Sequence, residues 1–96
     1  MQARYTRHAQ KRAQQRGIPR LVGELLLAYG RRAYDGRGAV KRYFDKHARK
    51  VVRAVLGDEG FRRIAKHLSC YMVQDCRSGV VITVGVRHKH ARIFRH

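Results

Sequence analysis

The sequence is poor in the residues that mark secreted or membrane proteins. It contains two cysteines and one proline. It has no run of about 18 apolar residues to span a bilayer and no apolar signal segment at its N-terminus. Cys70 and Cys76 fall in one predicted strand about 20 Å apart, too far to bridge, so both are expected as free thiols. These absences predict a cytoplasmic protein with no membrane contact.

Metal-binding patterns are equally scarce. Six histidines are present, but they form no His-x-x-x-His pair, and the cysteines form no Cys-x-x-Cys pair. The few carboxylates make no obvious catalytic pair, since Asp45 and Asp58 are placed to cap helices. We therefore expect neither a metal site nor a cofactor.

Acidic residues are far outnumbered by basic ones. Six Asp and Glu face 23 Lys and Arg, which gives a net charge of +17. The excess runs through the whole chain, with 12 basic and 3 acidic residues up to Ala48 and 11 and 3 after it. Seventeen of the basic residues are arginines, whose planar guanidinium pairs with phosphate and stacks on bases. Nucleic acid is the predicted partner, because such a charge repels itself unless a polyanion neutralises it. An ordinary solvated surface is the alternative.

The chain is long enough for one domain, 1–96, and shows no repeat or linker. Thr6 is predicted to cap a helix that runs to about Arg16, and Pro19 to open a second helix at a first-turn position. The second helix carries one apolar face that we expect in the core, formed by Leu21, Val22, Leu25, Leu26 and Tyr29.

The clearest helix is predicted to start at the cap Asp45 and to end at Gly57. Its apolar stripe at helical spacing consists of Ala48, Val51, Val52, Val55 and Leu56. A shorter helix is expected from Asp58, and its inward residues are Phe61, Ile64, Ala65 and Leu68.

Two hairpins complete the prediction. The first lies within 31–45, around the turn residues Asp35, Gly36 and Gly38, and the second pairs Cys70–Asp75 with Val80–Val86. Val80–Val86 is apolar enough to predict a central strand buried on both faces. The fold class is therefore α+β, with a small antiparallel sheet of about four strands and helices packed on one face.

One candidate nucleic-acid surface lies on the first helix. His8, Arg12 and Arg16 recur at i, i+4 and i+8 and share a face, while Ala9 and Ala13 turn toward the protein. Three contacts to phosphate would line up there. A solvated helix face is an equally good interpretation of this trio.

The second candidate surface is the C-terminal run from Arg87 to His96, in which cations alternate with apolar residues as in many single-strand-binding surfaces. Arg87, Lys89 and Arg92 are its predicted nucleic-acid contacts, and a frayed terminus is the alternative. Among the tyrosines, Tyr34 is the predicted base-stacking residue because arginines surround it, whereas Tyr29 and Tyr71 are assigned to the core.

Cleavage of RNA would need proton donors and acceptors beside the phosphate. Histidine suits both roles near neutral pH, and His8 and His88 are the two histidines best surrounded by arginine. The sequence therefore allows a metal-independent endoribonuclease, with these two as candidate catalytic residues.

The order of motifs resembles a large bacterial family known as a domain of unknown function. His8-Ala9, Arg12 and Arg16-Gly17-Ile18 match its His-Ala-x-x-Arg-x-x-x-Arg-Gly-Ile opening. Later blocks follow in the same order, at Tyr29-Gly30, Tyr43-Phe44-Asp45-Lys46 and Gly79 to Gly85. That family is similar in outline to the BrnT and RelE toxin-like proteins, whose helices on a small sheet act on RNA or bind an antitoxin. The resemblance favours RNA over DNA.

Three hypotheses follow. The first is an RNA-binding protein of RelE or BrnT type that cleaves its substrate. The second is a binding module for RNA or DNA without catalysis, which needs no placed histidine. The third is a subunit whose basic surface docks an acidic, antitoxin-like protein.

Overall fold

The computed structural model describes residues 3–87. Its helices are α1 (Arg7–Gln15), α2 (Arg20–Tyr29) and α3 (Lys46–Ile64), followed by a 3-10 turn over Ala65–His67, and its strands are β1 (Arg31–Tyr34), β2 (Ala39–Tyr43), β3 (Cys70–Asp75) and β4 (Val81–Val86). The strands form an antiparallel sheet in the order β1-β2-β3-β4. The predicted α+β class is confirmed. Among residues 3–87, no helix is long and apolar enough to cross a bilayer.

Side-chain caps start two of the helices as predicted. The Thr6 hydroxyl accepts a hydrogen bond from the Ala9 N–H at 3.0 Å, and the Asp45 carboxylate accepts one from the Ala48 N–H at 2.8 Å. Each cap satisfies a backbone donor that has no partner inside the helix. Pro19 differs from the prediction, because it occupies the N-cap position before Arg20 instead of the first turn.

A kink at Gly57 divides α3. Its φ of 78° and ψ of 169° leave the helical path, and a positive φ is accessible to glycine at little cost. The helical segments on either side, 46–56 and 58–64, agree with the predicted end at Gly57 and new start at Asp58.

Apolar side chains from all three helices pack against one face of the sheet. The buried cluster consists of Ala9, Val22, Leu25, Leu26, Phe44, Ala48, Val52, Ile64, Cys70, Met72, Val81 and Val84. The predicted stripes are wrong at their ends, where Leu21 is 46%, Tyr29 37% and Val55 53% exposed. These three lie in the first turn of α2, at its last residue and just before the kink, where the sheet no longer covers them. Ala65, predicted to point inward, is also exposed.

Strand β4 lies at an edge of the sheet, so the prediction of a central strand is wrong. Val81 and Val84 are buried, but Ile82 is 38% exposed. The apolar run reflects packing against α1 on one face, not two neighbouring strands. Part of the outer edge is covered by the N-terminal segment, because the Thr6 N–H donates to the Val81 carbonyl at 2.9 Å and the Val81 N–H donates to the Arg4 carbonyl at 2.8 Å.

Arg20 anchors this N-terminal segment to α2. Its guanidinium lies 4.3 Å from the centre of the Tyr5 ring, and its Nη2 donates to the Ala3 carbonyl at 2.9 Å. Burial raises the pKa of the Tyr5 hydroxyl, and the nearby Arg20 charge partly opposes that shift. The cover on the β4 edge is therefore held by ring and hydrogen-bond contacts as well as by the strand-like bridge.

Candidate nucleic-acid interface

The helices leave the other face of the sheet without a helical layer in the described part of the chain. Arg42 marks the covered face, because its Nη1 donates to the Leu27 carbonyl of α2 at 3.2 Å. Successive strand residues point to opposite faces. Tyr43 therefore lies on the uncovered face, which we call the open face. Following the strand register, its members are Arg31, Ala33, Lys41, Tyr43, Tyr71, Val73, Thr83 and Gly85.

Two tyrosines occupy the middle of the open face. Tyr43 of β2 is the direct cross-strand partner of Tyr71 of β3. The Cβ atoms of two residues in that relation lie about 5 Å apart. Tyr71 leans over Gly85 of β4, where an added Cβ would lie 2.9 Å from ring atoms of Tyr71. Glycine at this position thus leaves room for the ring to lie across the strand. The prediction that Tyr71 belongs to the core is wrong, since it is only half-buried.

A cation lies over each of these rings. The Lys41 ammonium is 4.8 Å from the centre of the Tyr71 ring, and the Arg87 guanidinium is 4.6 Å from the centre of the Tyr43 ring. Such contacts at exposed sites are worth about 0.5–1 kcal/mol, so competing contacts can displace them. The open face therefore carries aromatic rings and cations side by side.

The carboxylates around the open face already serve structural roles. Asp45 caps α3 and pairs with Arg31 at 3.4 Å. The Ala48 N–H, and less strongly Arg31, lower the pKa of the Asp45 carboxyl. Asp75 accepts bonds from the Ser78 N–H and hydroxyl, both at 2.8 Å, which lower its pKa as well. Both acids are thus held by contacts that build the caps and turns of the fold.

The predicted basic surface of α1 lies elsewhere. Ala9 is fully buried, while His8 and Arg16 are exposed and Arg12 is half-buried, as the helical spacing predicts. Because α1 packs on the covered face against β4, this trio is separated by the sheet from Arg87, which stacks on Tyr43. The structure thus does not bring Arg87 and α1 into one groove.

The remaining predicted site residues are scattered. Tyr34 is 65% exposed, as expected for a surface residue, but alternation along β1 directs it to the covered side, away from Tyr43 and Tyr71. His88, Lys89 and Arg92 lie outside the described residues. A catalytic pair of His8 and His88 therefore stays a prediction.

Neither cysteine is a member of the open face as defined above. Cys70 is buried in the core and Cys76 is exposed, and both thiols are free. Burial raises the pKa of Cys70 to about 11, so this thiol stays protonated at neutral pH. Within residues 3–87, no group of three His, Cys, Asp or Glu side chains is placed to hold a metal ion.

Sequence reasoning missed Lys41, Tyr71 and Gly85 as members of the interface. The available signal was the alternation in β3, where Cys70 and Met72 share one face and Tyr71 and Val73 the other. No sequence pattern showed that Tyr43 stands opposite Tyr71.

Comparisons of this chain with protein-family profiles, with curated proteins and with solved structures gave no match. The resemblance to the bacterial family therefore remains an expectation drawn from its motif residues.

Proposed function

We propose that this protein binds single-stranded RNA through the open face of its sheet. The observation that carries the proposal is the cross-strand pair Tyr43 and Tyr71, each with a cation beside its ring. Every base has a flat π-face, and stacking on an aromatic side chain contributes about 1–3 kcal/mol per base. Because the two tyrosines start from directly opposite positions of adjacent strands, with Cβ atoms about 5 Å apart, two neighbouring nucleotides of one strand can reach both rings.

The cations give the strand a second set of contacts. When a base stacks on Tyr71 or Tyr43, Lys41 and Arg87 leave the ring faces and pair with phosphates of the same strand. Arginine is suited to this exchange because it binds phosphate through two parallel hydrogen bonds and also stacks on bases. The net charge of +17 strengthens the attraction at every step.

The geometry of the open face also favours single-stranded over duplex nucleic acid. In a duplex the base faces are stacked inside the helix, so exposed rings cannot reach them, whereas unpaired bases are free to splay onto the sheet. RNA is favoured because the hydroxyls of Tyr43, Tyr71 and Thr83 are available on this face to hydrogen-bond a ribose 2′-hydroxyl. No catalytic role is proposed for the open face, because none of the residues that define it is a histidine.

A binding titration tests the proposal. Labelled 12-nucleotide single-stranded RNA, the matching duplex RNA and the matching duplex DNA are titrated at four salt concentrations, and strand breakage is followed in the same tubes. We expect single-stranded RNA to bind most tightly, with log affinity falling by about 0.7 per phosphate contact for each decade of salt. Equal affinity for all three would contradict a stacking interface. Breakage of the RNA would restore the endoribonuclease hypothesis.

A further inference from the structure

Strand β1 forms the sheet edge opposite β4, and all four of its residues are exposed. Unlike β4, which receives the bridge at Tyr5, β1 has no strand or bridge on its outer side among residues 3–87. An unpaired edge presents backbone donors and acceptors to any extended segment that approaches it.

The ladder register identifies which groups point outward. The Asp35 N–H donates to the Ala39 carbonyl at 3.1 Å, so this pair is a hydrogen-bonded one. Hydrogen-bonded and non-hydrogen-bonded pairs alternate along antiparallel strands. Arg32 and Tyr34, opposite Arg42 and Val40, are therefore in non-hydrogen-bonded pairs. Their N–H and C=O groups point away from β2.

Charge at this edge is unbalanced. Arg32 stands directly opposite Arg42, and like charges in that position are destabilising. Arg42 is fixed by the Gln74 side chain at 2.8 Å. Partial burial, and after it the Arg32 charge, lower the pKa of Arg42. Arg32 makes no hydrogen bond or ion pair with another residue in the described range. A carboxylate placed beside Arg32 would relieve this repulsion.

We propose that the β1 edge binds an extended acidic segment of a partner protein, which adds to the sheet as a fifth strand. Its backbone pairs with the outward groups of Arg32 and Tyr34. One of its carboxylates lies beside Arg32, and an apolar side chain two residues along, which points to the same face of the sheet, packs on the exposed Tyr34 ring. A second copy of this chain does not fit, because pairing two β1 edges would oppose arginines and bring together two chains of net charge +17. This surface is separate from the open face and does not depend on RNA binding.

The probe is a capped eight-residue peptide in which every second residue is glutamate or valine in turn and the residues between are threonine, so that glutamate and valine share one face of the strand. It is titrated into the wild-type protein without RNA. Amide hydrogen exchange is read residue by residue by NMR. We expect slower exchange of the Arg32 and Tyr34 amides on addition of the peptide and little change along β4. The same peptide with N-methyl groups on alternate backbone amides should not slow exchange of the Arg32 and Tyr34 amides, because it cannot pair as a β-strand.

Three variants separate strand pairing from general attraction. Arg32→Gln should weaken the peptide about tenfold, as expected for loss of a charge-assisted contact. Tyr34→Pro removes an outward N–H together with the exposed ring, without breaking a β1–β2 hydrogen bond, and should weaken the peptide about tenfold. Arg62→Gln, a change at an exposed arginine of α3, is the matched control and should change little. Unprotected Arg32 and Tyr34 amides, or equal weakening by Arg32→Gln and Arg62→Gln, would overturn the proposal.

Discussion

The open face of the sheet and the outer face of α1 are both rich in cations, yet they differ in what surrounds those cations. On α1, Arg12 and Arg16 lie beside glutamines and alanines. On the open face, Lys41 and Arg87 lie over the rings of Tyr71 and Tyr43. A cation alone attracts any phosphate backbone, whereas a ring beside it also recognises an unpaired base. In the proposed function, charge therefore supplies affinity for polyanions, and the tyrosines supply selectivity for unpaired strands.

The largest effect is expected from removal of both rings. Tyr43→Leu combined with Tyr71→Leu keeps apolar side chains in the sheet but removes both stacking surfaces. We expect the affinity for single-stranded RNA to fall on the order of a hundredfold, since each lost stack contributes about 1–3 kcal/mol. Duplex affinity should change little. The matched control is Tyr34→Leu, and fluorescence anisotropy with both nucleic acids provides the measurement.

Removal of cations from α1 should weaken binding without regard to strand type, unlike removal of the two rings. Arg12→Gln combined with Arg16→Gln removes two phosphate contacts that carry no information about strand type. Affinity for single-stranded and duplex nucleic acid should fall together, and the salt slope should decrease by about 1.4–1.8. A loss of affinity for single-stranded nucleic acid alone would contradict the proposed difference between the two surfaces.

A smaller and more specific effect is expected at Gly85. An added methyl group in Gly85→Ala would meet the Tyr71 ring at 2.9 Å, so the ring must move off the strand. We expect a severalfold loss of single-strand affinity with a change in stability of less than about 1 kcal/mol, because the half-exposed ring can swing away and alanine is less flexible than glycine in the unfolded chain. Urea unfolding monitored by circular dichroism gives the second quantity. An unchanged affinity in a folded Gly85→Ala protein would show that the position of Tyr71 is unimportant.

The smallest effect is expected at Asp45, which pairs with Arg31 of the open face. Its pKa is lowered in the folded protein, so the stability it contributes is present above its unfolded pKa of about 4 and is lost as pH falls through the folded value. Asp45→Asn keeps a capping oxygen but cannot titrate. The variant should therefore lose less stability than the wild type as the pH is lowered below about 4, measured by thermal unfolding. Parallel acid profiles for the two proteins would show that Asp45 contributes nothing to this pH dependence.

Local features of the fold were predictable from the sequence because neighbouring residues determine them. The caps Thr6 and Asp45 bond to N–H groups three residues ahead, and Gly57 breaks α3 through its own φ. The hairpin turns around Asp35 and Ser78 depend on side chains that bond to backbone groups two to four residues away.

Strand order and the open face were not predictable in the same way. The apolar sequence of β4 fits a central strand as well as an edge strand packed on α1, and only long-range pairing distinguishes them. Likewise, Tyr71 alternates with the buried Cys70 and Met72, but the sequence does not tell which face the helices cover. The sharing of one face by Tyr43, Tyr71 and Arg87 depends on three strands that are distant in sequence.

Photocrosslinking tests the stacking claim most directly. Single-stranded RNA that carries 5-iodouridine is irradiated in complex with the full chain, and the crosslinked peptides are identified by mass spectrometry. Because this reagent couples to aromatic rings stacked on it, the proposal predicts crosslinks at Tyr43 and Tyr71, which duplex RNA should not give. Crosslinks found only at other tyrosines, or equally with duplex RNA, would contradict single-strand recognition by the open face.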